Sequence, residues 1–170
     1  MATYQIVPGR STVSIEASSS VHPIHGEASG LVGTIEADIV DGQVQLASPP
    51  VMRLELPVDV LKSGNPLYDK ELQRRIESRR YPKISGSAKS ISPEDGKGRY
   101  HVTGDLTFHG VTRSVEGDIE VEPSGGDALK LSGEQTFDIR QFGIEPPKIL
   151  MLRVYPDVKV RVNIVAECRD

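Results

Sequence analysis

The stretch Arg99–Glu122, RYHVTGDLTFHGVTRSVEGDIEVE, constrains the fold of this chain more than any other. Along its first arm Tyr100, Val102, Gly104, Leu106 and Phe108 share one parity, and Arg99, His101, Thr103, Asp105 and Thr107 the other. The second arm repeats the code: Val115, Gly117, Ile119 and Val121 alternate with Glu116, Asp118, Glu120 and Glu122. Strict period-two alternation marks strands with one dry face and one wet face. A glycine stands in the dry row of each arm. Glycine weakens a strand, so inside one it marks a bend, a bulge or the close approach of a ligand or another backbone. The pattern recurs at Gly86, in the row Ile84, Gly86, Ala88, and at Gly133, in the row Leu129, Leu131, Gly133. Four inward glycines point to a sheet lined to leave space.

Composition supports that reading. The 170 residues suit one domain with a substantial core. Yet there is no Trp, with only three Phe and five Tyr to fill it. A closed sheet of about eight strands encloses room for its own side chains or for one small ligand. Inward rows of Val, Ile, Leu, Ala and Gly favour the ligand over bends that merely let strands coil.

Other strands follow the same code. Ser11–Ser18 alternates, with Val13, Ile15 and Ala17 on one side, and Val51–Val58 places Met52, Leu54 and Leu56 together. Gly26–Ile39, with Gly26, Gly30 and Gly33, reads as one strongly bent strand or two with a corner. Asp41-Gly42 signals a tight hairpin into Gln43–Ala47. Lys83–Ile91, Ala128–Ile139 and Val154–Glu167 complete the set, the last with Val158, Val160, Val162, Ile164 and Ala166 in one row. Turn signals at Pro93–Gly96 and Pro123–Gly126 fall at the spacing of barrels and sandwiches.

One segment breaks the β pattern. In Asn65–Arg80, NPLYDKELQRRIESRR, Asn65 suits an N-cap, Pro66 the first helical position, and Asp69 and Glu71 the positive dipole end. Tyr68, Leu72 and Ile76 form a narrow apolar stripe. Pro82 disfavours the helical conformation at Tyr81, which predicts a helix over about 65–80. Laid over the barrel mouth, it would bring Arg74, Arg75, Arg79 and Arg80 near a ligand headgroup. Arg75 and Arg79, one turn apart, are the pair placed to hold a phosphate, although a solvated helix end accounts for the same residues.

Several function classes are disfavoured. A net charge of −4 with acidic residues spread over outward rows gives no basic stripe for nucleic acid. No apolar run approaches the ~18 residues of a membrane span. The stretch 1–16 has neither a basic n-region nor an apolar h-region, so the expected location is cytoplasmic. The lone Cys168 excludes an internal disulfide framework. His22-Pro23-Ile24-His25 spaces two histidines by three, but the proline argues for a loop and no third ligand is in reach, so no metal site is assigned there. No nucleophile elbow, phosphate loop, dinucleotide fingerprint or zinc-protease motif is present. His109, at the hairpin tip His109-Gly110-Val111-Thr112-Arg113, would stand at the mouth together with Arg113.

Taken in order, these elements resemble the YceI-like family of lipocalin-like barrels that bind polyisoprenoids and related lipids. Ile6–Val13 is similar to the family's opening, and Ile24–Ile35, IHGEASGLVGTI, to its first glycine-rich strand. Ser63-Gly64, the helix and Tyr81-Pro82-Lys83-Ile84 follow in family order. The strongest match is Gly104–Arg113, GDLTFHGVTR, similar to the family's G-x-L-T-x-x-G-V-T-[RK]. Phe137–Ile144, FDIRQFGI, resembles its late R-x-x-F-G element. There are departures. Tyr4 stands where the family has Trp, Arg10 where it has His, and Asp69–Leu72 where many members have R-D-x-H-L. Gln73–Arg80 is also more basic than in the family, and many members carry a secretion signal.

The resemblance implies an all-β, lipocalin-like antiparallel barrel of about eight strands. It would be a single domain over 1–170, with the helix near the mouth. The expected function is non-catalytic sequestration of a long apolar ligand: a polyisoprenoid, an isoprenoid quinone or a fatty-acyl lipid. Its lining would be Val13 and Ile15, Leu54 and Leu56, Ile84 and Gly86, Gly104, Leu106 and Phe108, Gly117 and Ile119, Gly133 and Phe137, Phe142, and Val160 and Val162. No cofactor is expected, and the sequence permits a homodimer. The competing reading is an enzyme that uses the mouth as a reaction chamber, with His109 or His22 as the acid–base group.

Overall fold

A computed structural model of the chain describes residues 1–149 and 151–169. Twelve strands and one helix follow in order: β1 Ala2–Ile6, β2 Thr12–Ser19, β3 Ile24–Ala28, β4 Val32–Val40, β5 Gln43–Gln45, β6 Val51–Pro57, α1 Pro66–Ile76, β7 Lys83–Pro93, β8 Arg99–Phe108, β9 Val111–Pro123, β10 Ala128–Asp138, β11 Lys148–Ile149 and β12 Leu152–Cys168. None of the described helices is long and apolar enough to cross a membrane.

Ten of these strands form an antiparallel barrel of eight staves, because two staves are each built from two strands; β5 pairs only with β4, and β11 only with β12, off that path. β1 and β2 run in line, interrupted by a 3-10 turn at Pro8–Arg10. Both pair with β12, through Ile6↔Ala166 and through Val13↔Val162. Ser11 is buried at the break, where its Oγ accepts a hydrogen bond from the Val165 N–H at 3.1 Å. β3 and β4 form the next stave, paired through Val13↔Ala28 and Tyr4↔Ile35. The glycine-rich segment is thus two strands with a corner. From β4 the order runs β6, β7, β8, β9, β10 and back to β12, which closes the sheet.

Two local departures from regular ladder have clear causes. The β12–β2 register shifts between Val154 and Val158, around Pro156, which has no N–H to give to a ladder. At Gly33 (φ +153°) a Cβ would run into the Arg53 carbonyl of β6, so only glycine permits the strands to pack there.

The end of the barrel that holds the chain termini is packed solid. Tyr4, Ile6, Ile35, Tyr100, Val121, Leu129, Leu131, Ile164 and Ala166 are all buried there. The Tyr100 hydroxyl accepts the Val44 N–H at 2.8 Å, which ties the β4–β5 hairpin beneath that end.

The helix stands at the opposite end, between β6 and β7. Asn65 caps it as expected, its side chain accepting from the Leu67 and Tyr68 N–H groups. It stops at Ile76, short of the expected 80. Glu77 turns left-handed (φ 56°), and the Ser78 N–H bonds back to the Gln73 carbonyl in a Schellman-type ending. Buried Ile76 joins the apolar cluster that includes Val58, Leu61, Phe142 and Ile144. β1 is an element the sequence reading did not assign, although Ala2, Tyr4 and Ile6 alternate as a strand should.

Candidate binding cavity

Between the two packed ends the inward rows are half-buried rather than buried. Leu106, Phe108, Val115, Ile119, Val160 and Val162 belong to this middle level. Their accessible surface faces a cavity of about 360 Å³. Small-molecule sites run from roughly 300 to 1,000 Å³, which places it at the low end of that range. The hollow arises from register. Gly86 lies across from Leu54 on one side and Leu106 on the other, and Gly117 across from Val102. Each large residue therefore faces a neighbour with little or no side chain.

The cavity is lined by every residue expected from the sequence. Val13 and Ile15 come from β2, Leu54 and Leu56 from β6, and Ile84 and Gly86 from β7. β8 gives Gly104, Leu106 and Phe108, β9 Gly117 and Ile119, and β10 Gly133 and Phe137. Phe142 reaches it from the 3-10 turn after β10, and Val160 and Val162 from β12. The sequence reading missed further lining residues, Leu31, Leu61 and Gln135 among them. Leu31 and Leu61 lie outside regular strands, where alternation gives no signal. Gln135 is a polar residue in an otherwise apolar row.

The four inward glycines do not all leave space. A Cβ on Gly86 would sit 3.7 Å from the Asp105 carbonyl, and one on Gly117 3.9 Å from Gln135, both ordinary contacts. On Gly104 a Cβ would overlap the Ser87 carbonyl, beside the register shift between Ala88 and Ser90. On Gly133 it would lie 3.1 Å from the Asp118 carbonyl. Gly86 and Gly117 are spacers, whereas Gly104 and Gly133 let backbones approach. That corrects the expectation that all four glycines make room.

The basic residues are placed differently from the expectation. With α1 ending at Ile76, Arg79 is not on the helix, and no residue of α1 lines the cavity. Arg75 donates to Glu71 at 2.9 Å and to Glu145 at 3.2 Å. Arg74 and then Arg75 hold the Glu71 carboxyl down to about 2. The guanidinium of Arg75 is thus engaged by carboxylates. Arg113 donates to the Gln141 carbonyl at 2.9 Å and stays outside the lining.

The histidines of the competing reading also stand apart from the cavity. His109 Nε2 meets the Glu77 carboxylate at 2.7 Å and Nδ1 the Phe142 carbonyl at 3.0 Å. The ring therefore ties the β8–β9 tip to the helix end and to the 3-10 turn. His22 contacts the Tyr68 hydroxyl at 3.4 Å on the exterior. Neither ring lines the cavity.

The described residues contain one cluster with metal-type ligands. On the outer face, Glu94, His101 and Asp118 bring ligand atoms within 4.8 Å of one another. They already serve each other: His101 Nδ1 lies 2.8 Å from Asp118, and Nε2 3.3 Å from Glu116. Asp118 first, then Glu116, raise the imidazole above its ordinary 6.5.

The YceI-like domain family model matches residues 4–166. Among solved structures, BcnA of Burkholderia cenocepacia superposes with a TM-score of 0.77 at 16% identity, covering 94% of this chain and 98% of that one. A polyisoprenoid binding domain from Saccharophagus degradans, implicated in plant cell wall breakdown, gives 0.75 at 11% identity with 99% of each chain covered. The Campylobacter jejuni YceI protein gives 0.70 at 16% identity over 85% of each. At these identities the likeness is one of fold. None of the curated proteins compared matches the chain.

Two predictions follow from this geometry. Gly104→Ala should destabilise the barrel by about 1–3 kcal/mol, as forced overpacking does, while Gly86→Ala should change stability by less than about 1 kcal/mol; urea unfolding of both variants measures the difference. By NMR titration, His101 should show a midpoint above 6.5, moving back toward that value in Asp118→Asn. Because the folded value is raised, this contact contributes fully below pH 6.5 and is lost as pH climbs through the raised midpoint.

Proposed function

The chain belongs to the YceI-like domain family, and from that premise we propose that it is a non-catalytic binding protein whose barrel takes up the apolar chain of a lipid or isoprenoid. One observation carries the reading: a cavity of about 360 Å³ whose inward rows are aliphatic, aromatic or glycine, with Gln135 the polar exception. Such a lining recognises length and branching of hydrocarbon rather than a pattern of hydrogen bonds. Burying ~10 methylenes at ~0.8 kcal/mol each gives ~8 kcal/mol before entropic costs, which sets a ceiling of roughly micromolar affinity for a chain of that length, and a longer buried chain binds more tightly. The Saccharophagus degradans domain, described as polyisoprenoid binding, supports an isoprenoid as the first class to test, before a quinone with an isoprenoid tail or a fatty-acyl lipid.

The acid–base reading receives less support. A general base must reach the proton it takes, within hydrogen-bond distance or through one water. His109 and His22 lie outside the cavity lining, and both His109 ring nitrogens are engaged by protein acceptors. A function inside the cell and action as one unit over 1–170 complete the proposal.

Native mass spectrometry of freshly purified protein tests it. The expected result is a bound mass of a long-chain lipid or isoprenoid that organic extraction removes. Gly86→Leu should stay folded yet carry much less of it, since the leucine would project into the cavity. A wild-type protein that arrives without adduct and takes up none from a mixed isoprenoid and fatty-acyl panel contradicts the reading.

A further inference from the structure

The wall of the barrel changes character along one seam. β10 pairs with β9 from Leu129↔Pro123 to Gly133↔Ile119, and there the ladder stops. Both strands continue, to Asp138 and to Val111. Neither frays: β10 stays laddered to β12 as far as Asp138↔Asp157, and β9 to β8 as far as Phe108↔Val111. The two sides of the seam therefore part as intact double strands.

Two side chains hold this seam instead of backbone. Gln135 lies opposite Val160, on the inward row between Gly133 and Phe137, yet it is exposed. Its Nε2 donates to the Glu116 carbonyl at 2.7 Å, across the gap. Farther along, Arg113 donates to the Gln141 carbonyl. Beside Gln135 stands Gly117, with no side chain to obstruct passage. The cavity reaches this level, with Glu116, Gly117, Glu134 and Gln135 all in its lining. Both barrel ends, by contrast, are sealed by buried residues, Tyr100, Leu129 and Ala166 at one and Leu61, Ile76 and Phe142 at the other.

We propose that the seam between β9 and β10 is the ligand's way into and out of the cavity, and that Gln135 is its gate. The proposal rests on the reading that the cavity holds an apolar chain. Opening at Gln135 gives up one side-chain hydrogen bond, whereas the β7–β8, β8–β9 and β10–β12 seams would each have to break a run of ladder bonds, and the outer edge of β3 is held by paired backbone bonds between Glu27 and Lys62. Entry at the helix end would unseat Ile76 and separate His109 from Glu77.

A removable staple tests this directly. A Cβ on Gly117 would lie 3.9 Å from the Gln135 Cβ, within the range of about 3.5–4.5 Å that a disulfide spans. In a Cys168→Ser background, Gly117→Cys with Gln135→Cys can be compared oxidised and reduced. The probe is all-trans-retinol, an uncharged isoprenoid alcohol that fluoresces in an apolar site. Uptake by the oxidised form should be at least about tenfold slower than by the reduced form of the same variant, with full recovery of the rate on reduction. Gln135→Ala, which keeps the wild-type Gly117, should exchange the probe several times faster than wild type and carries the test if the double variant does not fold. Equal uptake rates in the oxidised and reduced forms, or an unchanged rate in Gln135→Ala, would overturn the gate. A wild-type protein that takes up no retinol at all would instead overturn the cavity reading on which the gate rests.

Discussion

The hydrogen-bonded seam between β12 and the broken stave β1–β2 is the contact on which the rest of the structure depends. β12 is 17 residues long and is laddered on one side to β10 from Asp157 to Glu167. On the other side it must meet two strands separated by a turn, and buried Ser11 bonds to Val165 at the break. That pairing closes the sheet and turns a dry face into a dry interior. Once closed, the barrel has a fixed circumference, and its inward residues either fill it or leave it hollow.

Which of these occurs is decided level by level. At the end that holds the termini, Tyr4, Tyr100, Leu129 and Leu131 fill the section. In the middle, Gly86 and Gly117 lie across from Leu54, Leu106 and Val102, and nothing larger completes the layer. Gly104 and Gly133 sit in the same rows for another reason, the approach of a neighbouring carbonyl. A glycine in an inward row thus has two meanings, and only the atoms its Cβ would meet separate them. The same economy applies to the seam at Gln135, where a polar side chain replaces ladder bonds between β9 and β10.

Much of this was legible in the chain. Period-two alternation identified the long strands and which of their rows turn inward, because a residue's parity fixes its face once the sheet closes. What escaped was governed by other forces. β1 is short, and its pairing partners, β12 and β4, are distant in sequence. The helix end is set by the left-handed turn at Glu77, and the Glu77 carboxylate meets His109, a contact across 32 positions that no local rule reports. Arg75 was legible as basic but not as neutralised, since Glu145 reaches it from a distant loop. Leu31 and Leu61 line the cavity from irregular segments, and Gln135 broke the apolar row in plain view without its meaning being apparent.

The central claim is that the middle of this barrel is an apolar chamber that holds a hydrocarbon chain. Intermolecular NOEs between a bound isoprenoid alcohol and methyl-labelled protein test it most directly. The account predicts contacts from the chain to the methyls of Leu54, Ile84, Leu106 and Val160, which come from four different staves. Contacts confined to exposed methyls such as Val21, Val40 or Leu67, with the inward set silent, would contradict it.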